Sequence, residues 1–238
     1  MTRLVFSALL LGCAAARAQA GDLVMLAPVD QAMPIVRFQD GRLAGGIVKD
    51  VGDAIAQRLG RRAVYLNAEV PEVKPMLSSG RADAMCYVLP SWIDGDYYWS
   101  SPLIPDAEMV VARTGSAPVH SLRDLRDRPV STVAGYRYQR VEQVLGVHFI
   151  RTDAESIEKA LQQLTDGQVQ YSIVAENLLA YMQRNHPDLK VRPDLVFSAF
   201  KAQCAMSRKS QVPFTEFNRA IDAMLSDGTV DQILARYR

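Results

Sequence analysis

Short apolar runs alternate with stretches of helical periodicity along nearly the whole chain after residue 20, and no other feature of the sequence limits the fold as strongly. Apolar residues from Val48 to Leu59 recur at the spacing of one helix face, and Gly60 follows as a helix stop. The runs 23–27 and 63–66, on either side of this helix, have the length of buried strands. The alternation predicts an α/β fold.

The same patterns predict the remaining elements. Asp153 is the predicted N-cap of a helix that carries Ile157 and Leu164 and stops at Gly167, and Ser121 begins a predicted capping box. The other predicted helices cover 71–79, 138–145, 176–184, 213–225 and 230–237. The other predicted strands cover 82–89, 108–112, 129–133, 148–150, 170–174 and 197–206.

Size and composition narrow the class of protein. A chain of 238 residues exceeds the usual size of one domain, which predicts two lobes, and 49% hydrophobic residues can build a sizeable core. Lys and Arg number 27 against 26 Asp and Glu, a formal charge of +1. This balance argues against a nucleic-acid partner, which needs a basic face.

The N-terminus has the three-part layout of a secretory signal. Arg3 precedes an apolar run at 4–11, and small residues continue to Ala20. The run is shorter than the ~20 apolar residues of a membrane-spanning helix. We expect cleavage after Ala20, so that 1–20 is a signal peptide and the protein is periplasmic. The alternative is a lipoprotein box in which Cys13 carries the lipid.

Two cysteines remain after such cleavage, Cys86 and Cys204. An oxidising compartment permits a disulfide between them. The alternative is two buried thiols that pack as small hydrophobic side chains.

Eight segments of the sequence, taken in order, form a further pattern. They are GRLAGGIVKDV at 41–51, RLG at 58–60, MLSSGRADA at 76–84, SPL at 101–103, SLRDL at 121–125, ALQQLTDG at 160–167, FNRAI at 217–221 and MLSDGT at 224–229. Together they resemble family-3 periplasmic solute-binding proteins, the amino-acid receptors of ABC importers. The resemblance extends over nearly all of 22–238.

The resemblance implies the type II periplasmic-binding-protein fold, with two α/β lobes joined by two hinge strands that close on a ligand. Lobe 1 would comprise 22–105 and 202–238, and lobe 2 would comprise 106–201. The implied function is capture of a small polar ligand for an ABC permease in the inner membrane. We expect a monomer that binds a small molecule, with no cofactor, no metal and no nucleic-acid partner.

The ligand of this family lies between the lobes, at the carboxyl ends of strands and near helix N-termini. Four segments of the chain would face that cleft. Their candidate ligand-binding residues are Asp30, Gln31, Tyr87, Ser91, Trp92, Gly135, Tyr136, Arg137 and Glu176.

One departure from the family pattern bears on the ligand. The segment 87–94 lacks the arginine with which amino-acid receptors clamp the α-carboxylate. We therefore expect Tyr87 and Trp92 to supply aromatic contact, and Arg137 and Glu176 to supply charge from lobe 2. The competing interpretations are aromatic packing at the hinge, a surface arginine, and an acid favoured by a helix N-terminus.

Two other function classes stay open. One is an enzyme on the same fold, similar to cyclohexadienyl dehydratases, in which Glu176 would donate a proton. The other is a periplasmic sensor component that binds a ligand without transport. Catalytic signals are poor, because two S-x-x-K matches lack partner motifs and the three histidines lack ligand spacing. We therefore expect no enzymatic activity.

Overall fold

The computed structural model describes residues 21–238, so the predicted leader, the cleavage site and Cys13 lie outside the described residues. The fold is α/β and two-lobed, as predicted. The strands are β1 (Leu23–Pro28), β2 (Arg37–Gln39), β3 (Arg42–Gly45), β4 (Ala63–Ala68), β5 (Ala84–Val88), β6 (Tyr97–Trp99), β7 (Ile104–Arg113), β8 (Pro129–Val133), β9 (Ile150–Ala154), β10 (Tyr171–Ala175) and β11 (Val191–Ser207). The helices are α1 (Ile47–Arg58), α2 (Val70–Ser79), α3 (Gln139–Leu145), α4 (Ile157–Thr165), α5 (Glu176–Asn185), α6 (Phe214–Ser226) and α7 (Thr229–Ala235).

The main sheet has the strand order β4-β1-β5-β11-β7-β10-β8-β9, with β6 added beside β11. At one end, β1 pairs in parallel with β4 and β5, and at the other end β8 pairs in parallel with β9 and β10. The strands β5, β11, β7 and β10 in between pair antiparallel. Each parallel part is therefore a small α/β unit, and antiparallel strands connect the two.

The connection is made by β7 and β11. β11 pairs with β7 from Val191 to Ala202, and from Gln203 onward it pairs with β5 instead, after a shift in register. One long strand thus leaves one unit and enters the other, which is the arrangement of a hinge. The lobe limits given above stay a prediction.

Helices cover both faces of each unit. In the first, α1, α6 and α7 pack on one side, with Phe217 and Ile221 fully buried, and α2 packs on the other with Leu77. In the second, α4 and α5 share a cluster with Leu161 and Leu179, while α3 packs on the opposite side. The apolar residues whose spacing predicted these helices form the surfaces that the helices bury.

Cys86 and Cys204 form a disulfide. They face each other directly across the β5–β11 ladder, with 3.9 Å between their Cα atoms, and both are fully buried. The bridge closes a sequence separation of 118 residues and ties the returning strand β11 to β5. Of the two states left open by the sequence, the structure has the bridged one.

Two local expectations were wrong, and three short strands were not predicted. The N-cap of α4 is Ser156, whose hydroxyl accepts from the Lys159 amide at 3.3 Å, whereas Asp153 lies in β9 and accepts from Thr132. The strand β9 covers Ile150–Ala154 rather than 148–150. The hairpin β2–β3 and the strand β6 were not predicted, because three or four residues carry too little periodicity.

Candidate ligand-binding site

A cavity of about 120 Å³ lies between the two units, beside the hinge strands. Residues at the end of β1, in α2 and around β5 line it on one side, and residues after β8, in α4 and in β10 line it on the other. Most of the wall is apolar, as is usual for a small-molecule pocket. The apolar lining comprises Pro28, Val70, Val73, Met85, Val88, Ile93, Ile157, Ile173, Val174, Ala175 and Leu178.

Aromatic rings form one wall of the cavity. Trp92 packs edge-on against Phe200, with 5.2 Å between ring centroids, and edge-on against Tyr87 at 6.4 Å. All three line the cavity. The sequence predicted Tyr87 and Trp92 at the cleft but missed Phe200, whose place depends on the point where β11 crosses between the units.

Tyr87 is held in an unusual conformation at the end of β5. Its φ of 64° is left-handed, a region that a bulky residue rarely adopts. Its hydroxyl donates to an Asp106 carboxylate oxygen at 2.5 Å, and Asp106 also accepts from the amides of Ala107 and Asn177. Burial raises the pKa of Asp106 despite these donors. The anchored hydroxyl fixes the ring at the cavity wall.

Asp30 and Gln31, at the end of β1, meet Tyr136 from the opposite side of the cleft. The Tyr136 hydroxyl donates to the Asp30 carboxylate, and the Gln31 amide donates to the same hydroxyl oxygen. The Asp30 carbonyl accepts from the amide of Ile157 at 3.0 Å. Asp30 is 7% exposed, and burial raises its pKa, an effect opposed by the Tyr136 hydrogen bond and reinforced by nearby Glu69.

Glu108 is a second carboxyl at the cavity, and from the sequence it was predicted only as the first residue of a strand. It lies in β7 directly opposite Ser198 of β11. Burial raises its pKa to about 7, helped by the charge of Asp106 and opposed by the Ser198 hydroxyl. An acid between Ala107 and Met109 in an apolar strand was the sequence signal that could have identified it.

Arg137 lies at the rim of the cavity and is already paired. Its guanidinium makes two parallel hydrogen bonds to Asp94, of which Nη1 to Oδ1 measures 2.8 Å. Both side chains are substantially exposed. The positive charge of Arg137, which was predicted to bind an anionic group of the ligand, is therefore paired with a carboxylate of the facing unit.

We expect Arg137→Ala to change the affinity for a ligand of the cleft by less than about fivefold, because an exposed ion pair contributes little. Asp94→Ala should have a similar effect, and the double variant should lose no more than either single one. Titration calorimetry on the three variants measures this. A tenfold loss for Arg137→Ala alone would show that the arginine binds the ligand directly.

Three candidates lie outside the cavity lining: Ser91, Gly135 and Glu176. Glu176 is exposed at the first position of α5, whereas Ala175 before it and Leu178 after it line the cavity. Gly135 has a φ of 78°, and a Cβ there would lie 3.0 Å from Val70 on the facing unit. A Cβ added at Gly135 would therefore crowd the facing unit.

The described residues hold no cluster of three His, Cys, Asp or Glu side chains placed to bind a metal ion. Across 21–238, none of the helices has the length and apolar character that a membrane span requires.

Comparison with known proteins agrees with this geometry. The family model described as bacterial extracellular solute-binding proteins, family 3, matches residues 27–238. The chain belongs to this family. The comparison with curated protein sequences found no match.

Solved structures show the same fold at low sequence identity. An ancestral arginine-binding protein bound to arginine is 21% identical, covers 92% of this chain and 99% of its own, and has a TM-score of 0.80. A histidine kinase sensor domain similar to periplasmic binding proteins is 21% identical over 93% and 97%, with a TM-score of 0.75. The ancestral amino-acid-binding protein AncCDT-1, a precursor of cyclohexadienyl dehydratase, is 17% identical over 91% and 95%, with a TM-score of 0.74.

Proposed function

We propose that this solute-binding protein is a periplasmic receptor that captures a small molecule between its lobes and delivers it to an ABC permease. Family membership supports capture of a solute. The sequence of the leader supports export, with cleavage after Ala20 or lipidation at Cys13 as its two forms. The monomeric state and the permease are parts of the proposal.

One observation carries the assignment of the cleft as the binding site. Two carboxyls, Asp30 and Glu108, line an otherwise largely apolar cavity that both units enclose. Burial raises the pKa of each, which means that each ionised carboxylate is destabilised there. A fold that keeps such groups in a cavity gains nothing in stability from them, and perturbed carboxyls in a cleft are typical of functional sites.

The hinge geometry supports capture by closure. Asp30 of one unit contacts Tyr136 and Ile157 of the other, and Gly135 packs against Val70. The two units therefore touch around the cavity, as they would around a bound ligand. Opening at β7 and β11 would give the ligand its entry path.

A thermal-shift panel on the processed, secreted protein tests the proposal. A ligand at 100 times its Kd stabilises the folded state by about 2.7 kcal/mol. For a chain of this size we expect a rise in Tm of roughly 5–10 °C. The panel should hold amines, amino acids, organic acids and neutral aromatics. A complete absence of shifts at millimolar concentration would contradict the receptor assignment.

A dehydratase-like enzyme remains a second candidate, since a carboxylic acid with a pKa near 7 suits a general acid. Glu108 rather than Glu176 would then donate the proton. The substrate of such an enzyme is an anion, and the acidic lining opposes it. We expect no turnover of a prephenate-like acid by the parent protein, and Glu108-dependent turnover would establish the enzyme instead. Neighbouring genes for a permease and an ATPase would distinguish an importer from a sensor component.

A further inference from the structure

We propose that the ligand is a small organic cation without a carboxylate, an amine or guanidine, whose charged end binds Asp30 and Glu108 and whose apolar body packs against Trp92 and Phe200. This inference rests on the proposed function of the cleft as a receptor site. It assigns a ligand chemistry that differs from a zwitterionic amino acid.

The charges around the cavity favour a cation. The charged side chains that line it, among the described residues, are Asp30, Glu108 and Arg137. Arg137 is engaged by Asp94 in two hydrogen bonds, so its charge is already compensated. A carboxylate in the cavity would meet two acids and no uncommitted cation, at a large desolvation cost. A cation would instead meet opposite charge on the cavity wall.

Asp30 and Glu108 differ from Asp106 in how many further hydrogen bonds their carboxylates can accept. Asp106 accepts from Tyr87, Ala107 and Asn177, which occupies most of its capacity and makes it a structural residue. The side chain of Asp30 accepts from Tyr136. Glu108 accepts from the hydroxyl of Ser198, which lies opposite it in the ladder. A carboxylate offers about four acceptor positions, so Asp30 and Glu108 can each accept further donors from an ammonium or guanidinium group.

The rest of the wall suits the apolar part of such a molecule. Trp92 and Phe200 present ring surface, with Ile93 and Met85 beside them. Aromatic faces attract cations as well as apolar groups. Ile93 and Trp92 lie in the segment 87–94, which contains no lysine or arginine, so this segment adds apolar surface and no positive charge to the cavity wall.

Binding of a cation should release protons. A positive charge favours the ionised form of each carboxyl, so binding lowers the raised pKa values of Glu108 and Asp30. The titratable groups that face Glu108 are Asp106, Tyr87 and Tyr138, and those that face Asp30 are Tyr136 and Glu69. The tyrosines stay neutral at these pH values and the acids add negative charge. Affinity should therefore rise from pH 5.5 to pH 8.

Matched probes test the charge requirement directly. Phenethylamine, phenylalanine and phenylacetate share one body and carry a cation, a zwitterion and an anion. Butylamine, norvaline and butyrate repeat this charge series on an aliphatic body. Agmatine, arginine and 4-guanidinobutyrate keep a guanidinium group throughout and compare a dication without a carboxylate with two molecules that carry one. In at least one series, calorimetric titration at pH 7.5 should show the tightest binding for the amine. The carboxylic acid of the same series should bind at least tenfold more weakly.

Variants then locate the cation. Glu108→Gln and Asp30→Asn keep the shape of the side chain and remove its charge, and each should weaken the amine about ten- to a hundredfold. Glu216→Gln, on the exposed side of α6, is the matched control and should bind like the parent. Far-ultraviolet circular dichroism and the melting temperature report whether each variant is folded.

The outcomes separate this inference from the proposed function. Tighter binding of a zwitterion or an anion than of its matched amine would overturn the cation assignment and leave the receptor standing. Unchanged amine affinity in both folded charge variants would overturn it as well. If neither these nine probes nor the broader panel bind, the receptor function itself is contradicted.

Discussion

Glu108→Gln is expected to make the protein more stable at pH 8, by about 2–3 kcal/mol in the free energy of unfolding. Burial holds the pKa of Glu108 at about 7 in the folded chain, above its ordinary value of 4.5. Below the ordinary value the carboxyl is protonated in both states and does not affect stability. Between 4.5 and 7 only the unfolded chain loses the proton, so the parent loses stability as pH rises.

Urea denaturation at pH 4.5, 6 and 8 measures the effect. The difference between Glu108→Gln and the parent should be small at pH 4.5 and reach its full size above pH 7. Glu216→Gln should show no difference of this kind, since that side chain is exposed. A Glu108→Gln protein that is equally stable or less stable at pH 8 would contradict the desolvated state of this carboxyl.

Replacing Cys86 and Cys204 together by alanine is expected to lower the free energy of unfolding by about 4 kcal/mol. The bridge spans 118 residues, and a longer closed loop restricts the unfolded chain more strongly. Both sulfurs are also buried in the core of the first unit, so their loss leaves unfilled space. Denaturation of the parent and the double variant, with and without a reductant, measures the effect.

A reductant should destabilise the parent and leave the double variant unchanged. Ligand affinity should survive the replacement at temperatures where the variant is folded, because neither sulfur lines the cavity. The neighbouring Tyr87 is held by its own hydrogen bond to Asp106. Loss of binding in the folded double variant would mean that the bridge positions the end of β5.

The fold could largely be predicted from the sequence. The helix face from Val48 to Leu59 and the apolar positions of α4 produce local periodicities, and these survive in the structure as buried surfaces. Short elements such as β6 and the β2–β3 hairpin depend on partners distant in the chain, and β6 forms only against Ala205–Ser207 of β11. Local patterns carry no information about such pairings.

The candidate site could be predicted less completely. Asp30, Gln31, Tyr87, Trp92, Tyr136 and Arg137 do line the cavity, because strand ends can be located from local patterns. The state of Glu108 could not be predicted, since it depends on the β7–β11 register and on burial by both units. Glu176 shows the limit of analogy, since it is exposed while its neighbours Ala175 and Leu178 line the cavity, and a resemblance between families does not resolve a difference of one residue.

The chain contains two tryptophans, and they allow a direct test that the ligand enters the inter-lobe cavity. Trp92 lines the cavity, whereas Trp99 packs against Tyr97 on β6. The variant Trp99→Phe leaves Trp92 as the single indole, and Trp92→Phe leaves Trp99. The probe is the compound that raises the melting temperature most.

The decisive measurement is fluorescence titration of Trp99→Phe with that compound, beside calorimetric titration of the same variant. If the ligand enters the cavity, we expect a saturable change in Trp92 emission whose midpoint equals the calorimetric Kd, and a much smaller change in Trp92→Phe. Unchanged Trp92 emission, in a variant that binds by calorimetry, would place the ligand elsewhere and contradict the cleft as the binding site.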